Sequence, residues 1–222
     1  MRNVILFVVC WIFKILARVE VVGLENLPRQ GGAILAANHM SRIDPALVRI
    51  MIPRTDVSSL VADSYKKFPP MRWLVDAMGG IWINRQQADL QAMRQARDFL
   101  IQGGLLGIAP EGTRSKVGGL LPAKTGTAYL ADKAGVPIVP AAISGSEKAF
   151  HELARLRRPR LRIEFGEPFM LPPLERRDRD ASLQRNTDEI MLRIATMLPP
   201  QYWGTYRDHP RLRQVLEGEG VG

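Results

Sequence analysis

The stretch Gly31-Gly32-Ala33-Ile34-Leu35-Ala36-Ala37-Asn38-His39-Met40-Ser41-Arg42-Ile43-Asp44-Pro45 decides how this chain is read. Residues 33–37 are short, apolar and preceded by two glycines, the pattern of a buried strand that delivers His39 to its C-terminal end. Asp44 followed by Pro45 is a helix-start signal, with Asp44 suited to the N-cap and a helix expected over 45–51. His39 therefore sits in a strand-to-helix turn. Five residues apart on one helix, His39 and Asp44 would diverge; across a turn, the carboxylate can fold back onto the imidazole. A carboxylate on one ring nitrogen fixes the tautomer and leaves the other nitrogen free to take a proton, which is apparatus for activating a hydroxyl. A structural reading uses the same residues, with Asp44 only capping and His39 bonded to backbone. The chain has three histidines, so the question of general-base chemistry turns largely on this one.

Working outward, other short apolar runs also end in polar turns. Residues 105–109 read as a strand leading into Pro110-Glu111-Gly112-Thr113-Arg114-Ser115, and 79–85 is a β-rich stretch ending in Arg85. Gly112 permits a tight turn or a close ligand, and Arg114 offers a planar fork for a phosphate or carboxylate. Residues 136–140 are apolar between prolines, and 19–22, 57–62 and 161–165 also read as strands. Helices are expected over 66–78, 88–101, 124–133 and 183–198, the last stopped by Pro199-Pro200. In 88–101 the apolar spacing runs through Leu90, Met93 and Leu100/Ile101, with Arg97 as its exception. Interleaved strands and helices imply an α/β single domain with a mostly parallel sheet flanked by helices. In such a sheet Arg85 and Arg114 lie at the same edge as His39, where ligands bind.

At 222 residues the chain suits one domain, and its formal net charge of +9 favours an anionic partner. Five arginines fall between 155 and 162 without an acid among them, consistent with either a lipid-headgroup patch or a solvated face. No zinc-finger spacing or aromatic RNA-binding motif is present, so nucleic acid is not expected. The single cysteine, Cys10, excludes an internal disulfide and a multi-cysteine metal site.

Taken in order, Asn38-His39 through Asp44, then 80–85, then Glu111-Gly112-Thr113-Arg114, then 136–140, resemble the four sequence blocks of the glycerolipid acyltransferase superfamily, most like its bacterial 1-acyl-sn-glycerol-3-phosphate acyltransferases. The resemblance runs over about 23–169. It implies His39 as general base with Asp44 as its partner, and Arg85, Glu111, Gly112, Thr113 and Arg114 binding the glycerol phosphate. Lys124 stands where the family often carries a basic residue near the phosphate. Trp82 replaces a common phenylalanine in the second block, and Asn84 precedes the arginine. The reaction implied is transfer of a fatty acyl group from acyl-CoA or acyl-carrier protein to the sn-2 hydroxyl of a lysophospholipid, giving phosphatidic acid in phospholipid biosynthesis, with no metal or redox cofactor. Other readings are a different acceptor such as glycerol 3-phosphate, a thioesterase or lipid hydrolase using His39, and a non-catalytic basic lipid-binding protein.

Residues 4–17 hold 13 apolar side chains in 14 positions, short of the roughly 20 that cross a bilayer. No small-x-small cleavage site follows, which argues against a secretory signal. A helix packed on the core remains possible, and a membrane-lipid substrate favours the alternative: a monotopic anchor over 1–18, with Arg2, Lys14 and Arg18 reaching phosphates at the cytoplasmic face of the cell membrane. The catalytic domain is expected over 19–200. A C-terminal extension, 201–222, carries Tyr202, Trp203 and Tyr206, suited either to packing or to a membrane interface, and ends in a frayed 218–222 tail.

Overall fold

The computed structural model of the chain describes residues 2–87 and 89–216, less the side chains at 2, 3, 5, 6 and 14. Arg2 and Lys14 as headgroup ligands, Ala88 as a helix start and the 218–222 tail lie outside the described residues. Seven strands form one sheet: β1 (Arg18–Val22), β2 (Ala33–Ala37), β3 (Val57–Ala62), β4 (Ile81–Ile83), β5 (Leu105–Ile108), β6 (Ile138–Ser144) and β7 (Arg160–Phe165), ordered β1-β7-β6-β2-β5-β3-β4. All neighbouring pairs are parallel except β6 with β7, so β1 and β7 run against the other five.

The connections put the site where it is. α2 (Asp44–Met51) carries the chain from β2 across β5 to β3 and buries Leu47 and Val48 on one face of the sheet. α4 (Leu90–Ile101) and α5 (Gly126–Ala134) bury Ala96, Leu100, Ala128 and Leu130 on the other, α5 carrying β5 back across β2 to β6. The direction of winding therefore reverses between β2 and β5. A crevice opens at the carboxyl ends of the strands at such a point. The opposite edge is tied by buried Arg54, which donates to the carbonyls of Pro28, Gly31 and Gly103 and pairs with Asp56.

Several expectations shift for identifiable reasons. The helix expected over 66–78 is a 3-10 turn followed by α3 (Pro69–Ala77), because Phe68, ahead of a proline, is held extended at φ −105°, ψ 103°. α4 starts at Leu90, with the Asp89 side chain accepting from the Ala92 amide at 3.0 Å. Its buried stripe is Ala92, Ala96 and Leu100, while Leu90 and Ile101 point outward and Arg97 pairs with Asp98; alanines let the helix lie close to its neighbours, so the larger apolar residues misplace the face. β6 runs past Pro140, where three residues of the β7 side oppose two of β6 between the Ala141↔Phe165 and Ile138↔Phe169 pairs. Such a bulge is where a residue without an N–H is tolerated.

The N-terminal residues form α1 (Arg2–Leu16), which packs against α2 through Phe13 and buries Ala17 beyond its end. Its outer side is an exposed apolar stripe of Val4, Phe7, Trp11 and Ile15. Among the described residues no helix is long and apolar enough to cross a membrane. At the other terminus, α7 (Arg179–Thr196) buries Ile190 and Ile194, and Tyr202 and Tyr206 pack into the same cluster. The Tyr206 hydroxyl accepts from the Ala123 amide at 3.2 Å, so 201–206 braces the segment that carries Lys124.

Candidate active site

His39 leaves the end of β2 and is held from three sides. Its Nδ1 lies 3.0 Å from Asp44 Oδ2, and the same oxygen accepts from the Met40 amide at 2.7 Å and the Ser41 amide at 2.6 Å. Asp44 is buried, and an acceptor oxygen with three donors is an ionised carboxylate's arrangement. The imidazole therefore carries its proton on Nδ1. Its Nε2 has no hydrogen-bond partner among the described residues, on a side chain 20% exposed. Asp44 is not the N-cap expected of it. It is the first residue of α2 and turns its carboxylate back into the 39–41 loop, leaving Ile43 at the cap position without a side-chain bond.

Glu111 forms the second support. Its Oε1 accepts from the His39 amide at 3.1 Å and its Oε2 from the Leu121 amide at 2.9 Å, in a side chain 2% exposed. The Ser115 amide also donates to the His39 carbonyl at 2.8 Å. Expected among the ligands of an anionic headgroup, Glu111 instead directs both oxygens at backbone and joins the two loops lining the crevice. Burial pushes its carboxyl up to about 7, against the pull of the two amides. Relative to an unfolded value of 4.5, the fold then binds the extra proton between those pH values, so this group's contribution falls as pH rises through the window. Stability of the parent relative to Glu111→Gln should accordingly decline by up to about 3 kcal/mol from the acid side of the window to pH 7. Denaturant unfolding of both proteins across that range checks this, and a constant difference refutes it.

The cations expected to bind an anion lie along the same edge. From His39 on β2, the loop after β5 comes next, then the turn after β3 with Tyr65, then Arg85 after β4. Asn84 accepts from the Gln86 amide at 2.9 Å and donates its own amide to Asp89, a side-chain-closed turn that presents Arg85. Arg85 is half-buried, and desolvation lowers its pKa. Neither Arg85 nor Arg114 has a carboxylate partner among the described residues. A desolvated guanidinium without a counter-ion is a site prepared for an external anion. Thr113 is exposed beside Arg114, and the Lys124 stem lies over Gly112. Glycine suits 112 because φ is 66°; a Cβ there would also press on the Lys124 stem, 3.1 Å from its Cδ, which can yield.

Asn38 completes the set, and sequence reasoning gave it no role. Buried at 1% exposure, it donates to the Ile143 carbonyl at 2.9 Å and accepts from the Ile143 amide at 2.7 Å, standing in for a backbone rung between β2 and β6. The available signal was an amide side chain directly after a buried strand, where a polar group must find partners.

The α/β domain thus carries a carboxylate-oriented histidine at the winding switch, with Arg114 in the loop of the adjacent strand and Arg85 after the edge strand β4, neither guanidinium having a carboxylate partner among the described residues. The chain belongs to the Acyltransferase family, whose sequence profile matches residues 18–144. It is similar to the 1-acyl-sn-glycerol-3-phosphate acyltransferase of Borreliella burgdorferi, 28% identical over 135 residues covering 60% of this chain and 54% of that protein. It also resembles one from Chlamydomonas reinhardtii, 29% identical over 194 residues covering 85% of this chain and 55% of that protein. The chain thus spans about half the length of these curated relatives. Among solved structures, the 1-acyl-sn-glycerophosphate acyltransferase PlsC of Thermotoga maritima superposes with a TM-score of 0.62 at 26% identity, over 85% of this chain and 80% of that one.

Proposed function

We propose that the chain transfers a fatty acyl group from a thioester donor, acyl-CoA or acyl-carrier protein, to the sn-2 hydroxyl of 1-acyl-sn-glycerol 3-phosphate, forming phosphatidic acid. The observation that carries this is the free Nε2 of a histidine whose Nδ1 is held by Asp44, facing an edge that also bears two guanidiniums without counter-ions. The names of its relatives support the acceptor. In the proposed reaction, the acceptor's phosphate binds Arg85 and Arg114, with Thr113 and Lys124 at the same turn, and its hydroxyl reaches Nε2. As Nε2 takes the proton, the oxygen attacks the thioester carbonyl. The tetrahedral intermediate collapses, the carbon–sulfur bond breaks, and the imidazolium returns the proton to the thiolate. Asp44 stabilises the transient imidazolium. Ser41, the candidate nucleophile nearest in sequence, is 4% exposed, which favours direct transfer over an acyl-enzyme.

The acceptor is a membrane lipid, and the exposed stripe on α1 fits a monotopic anchor at the cytoplasmic face of the cell membrane. Thiol release measured with both donors against lysophosphatidic acid, glycerol 3-phosphate and other lysolipids tests the acceptor. Lysophosphatidic acid should stimulate release most, and failure to do so with either donor removes the proposal. Arg114→Ala should raise the KM for lysophosphatidic acid roughly 10- to 100-fold, the loss expected for one charge-assisted phosphate contact. An unchanged KM would dissociate Arg114 from the phosphate.

A further inference from the structure

Leu156 is 96% exposed and stands at φ 54°, the one non-glycine residue with positive φ among the described residues. It follows α6 (Ala149–Ala154). The Leu156 amide donates to the Leu153 carbonyl and the Arg157 amide to the Glu152 carbonyl, both at 2.9 Å. These are the paired bonds of a Schellman ending, whose left-handed position ordinarily takes glycine. A leucine there strains the backbone, and in this protein no packing offsets the strain. Backbone strain that brings the fold nothing is a pointer to function.

The neighbours say what Leu156 meets. Arg155, Arg157 and Arg160 are exposed and have no carboxylate partner among the described residues, whereas Arg162 is held by Glu20 and Glu164. Arg158 donates to the Ala17 carbonyl at 2.9 Å, tying the tip to the end of α1. β7 begins at the edge where β6 ends and lies two strands from β2, so the tip projects from the edge that carries His39, about 10 Å across the sheet. We infer that 155–158 is a lipid-insertion tip: Leu156 enters the apolar boundary of an anionic bilayer while Arg155 and Arg157 bind headgroup phosphates, beside the stripe of α1. This rests on the membrane-lipid acceptor proposed above. A single leucine ringed by long cationic side chains suits the headgroup layer, where the charge stays wet and the stem is buried.

The test is sedimentation of the full chain with phosphatidylcholine vesicles, with and without phosphatidylglycerol. Leu156→Gly and Leu156→Asn both accept left-handed backbone, so each should melt no lower than the parent, while binding to phosphatidylglycerol vesicles falls about fivefold. Leu156→Phe should keep binding, and Arg155→Glu with Arg157→Glu should abolish the preference for phosphatidylglycerol. Undiminished binding by the glycine and asparagine variants overturns the inference, as does a lowered melting temperature for Leu156→Gly, which would mean the leucine packs on the fold. Unchanged vesicle binding with slower transfer from acyl-carrier protein would make the tip an acidic-protein dock and overturn it equally. Partition is measured without substrate, so loss of the lysophosphatidic acid reading alone leaves this result standing.

Discussion

His39→Ala should lower kcat for acyl transfer about 1,000-fold, within the range that a positioned general base contributes. The acceptor KM should stay within a few-fold of the parent, because the groups proposed to hold the phosphate, Arg85 and Arg114, remain. Stability should change little. Asp44 Oδ2 keeps its bonds to the Met40 and Ser41 amides, and the ring it loses is partly exposed. Steady-state kinetics alongside denaturant unfolding separates the two effects. A variant retaining a substantial share of parental kcat would remove His39 from the chemistry even if the acceptor is as proposed.

Asp44→Asn should also slow catalysis, by a different route. The Met40 and Ser41 amides and His39 Nδ1 all meet the one oxygen, Oδ2, so the asparagine carbonyl takes that place and keeps all three, while its NH2 falls where buried Oδ1 has no hydrogen-bond partner among the described residues. The ring proton stays on Nδ1, but the imidazolium formed when Nε2 takes a proton loses the carboxylate charge that stabilises it. A loss of about 100- to 1,000-fold in kcat is expected from that lost stabilisation. Replacing a charged acceptor in two buried bonds should also cost about 1–3 kcal/mol of stability. Ring nitrogen shifts in NMR report the tautomer directly. If kcat survives with the proton still on Nδ1, Asp44 does not act through the ring.

The strands and the contact between His39 and Asp44 were legible because each rests on local chemistry. Alternating or continuous apolar runs mark strands, and an aspartate before proline marks a helix start. What escaped the sequence was direction of facing. Asp44 was read as a cap because that is the local option. In the fold the preceding loop supplies three donors, more than a helix end would, and the carboxylate turns to them. Glu111 sits in a turn with Arg114, and nothing within the turn says that its side chain will reach the amide of residue 39 and that of residue 121. In the same way, the stripe of α4 depends on which helix neighbours demand close approach, a property of the assembled layers and not of the segment. Pairing over long separations is where local reading stops.

The two hydrogen bonds between Asn38 and Ile143 make the 38–41 loop a continuation of the central sheet rather than an appendage of it. With the His39 amide on Glu111 and the Met40 and Ser41 amides on Asp44, the loop's donors are closed by buried acceptors. Amides fastened in this way exchange with solvent only when a cooperative unit opens, and here that unit includes strands β2 and β6. The proposed base, His39, thus shares the lifetime of the core.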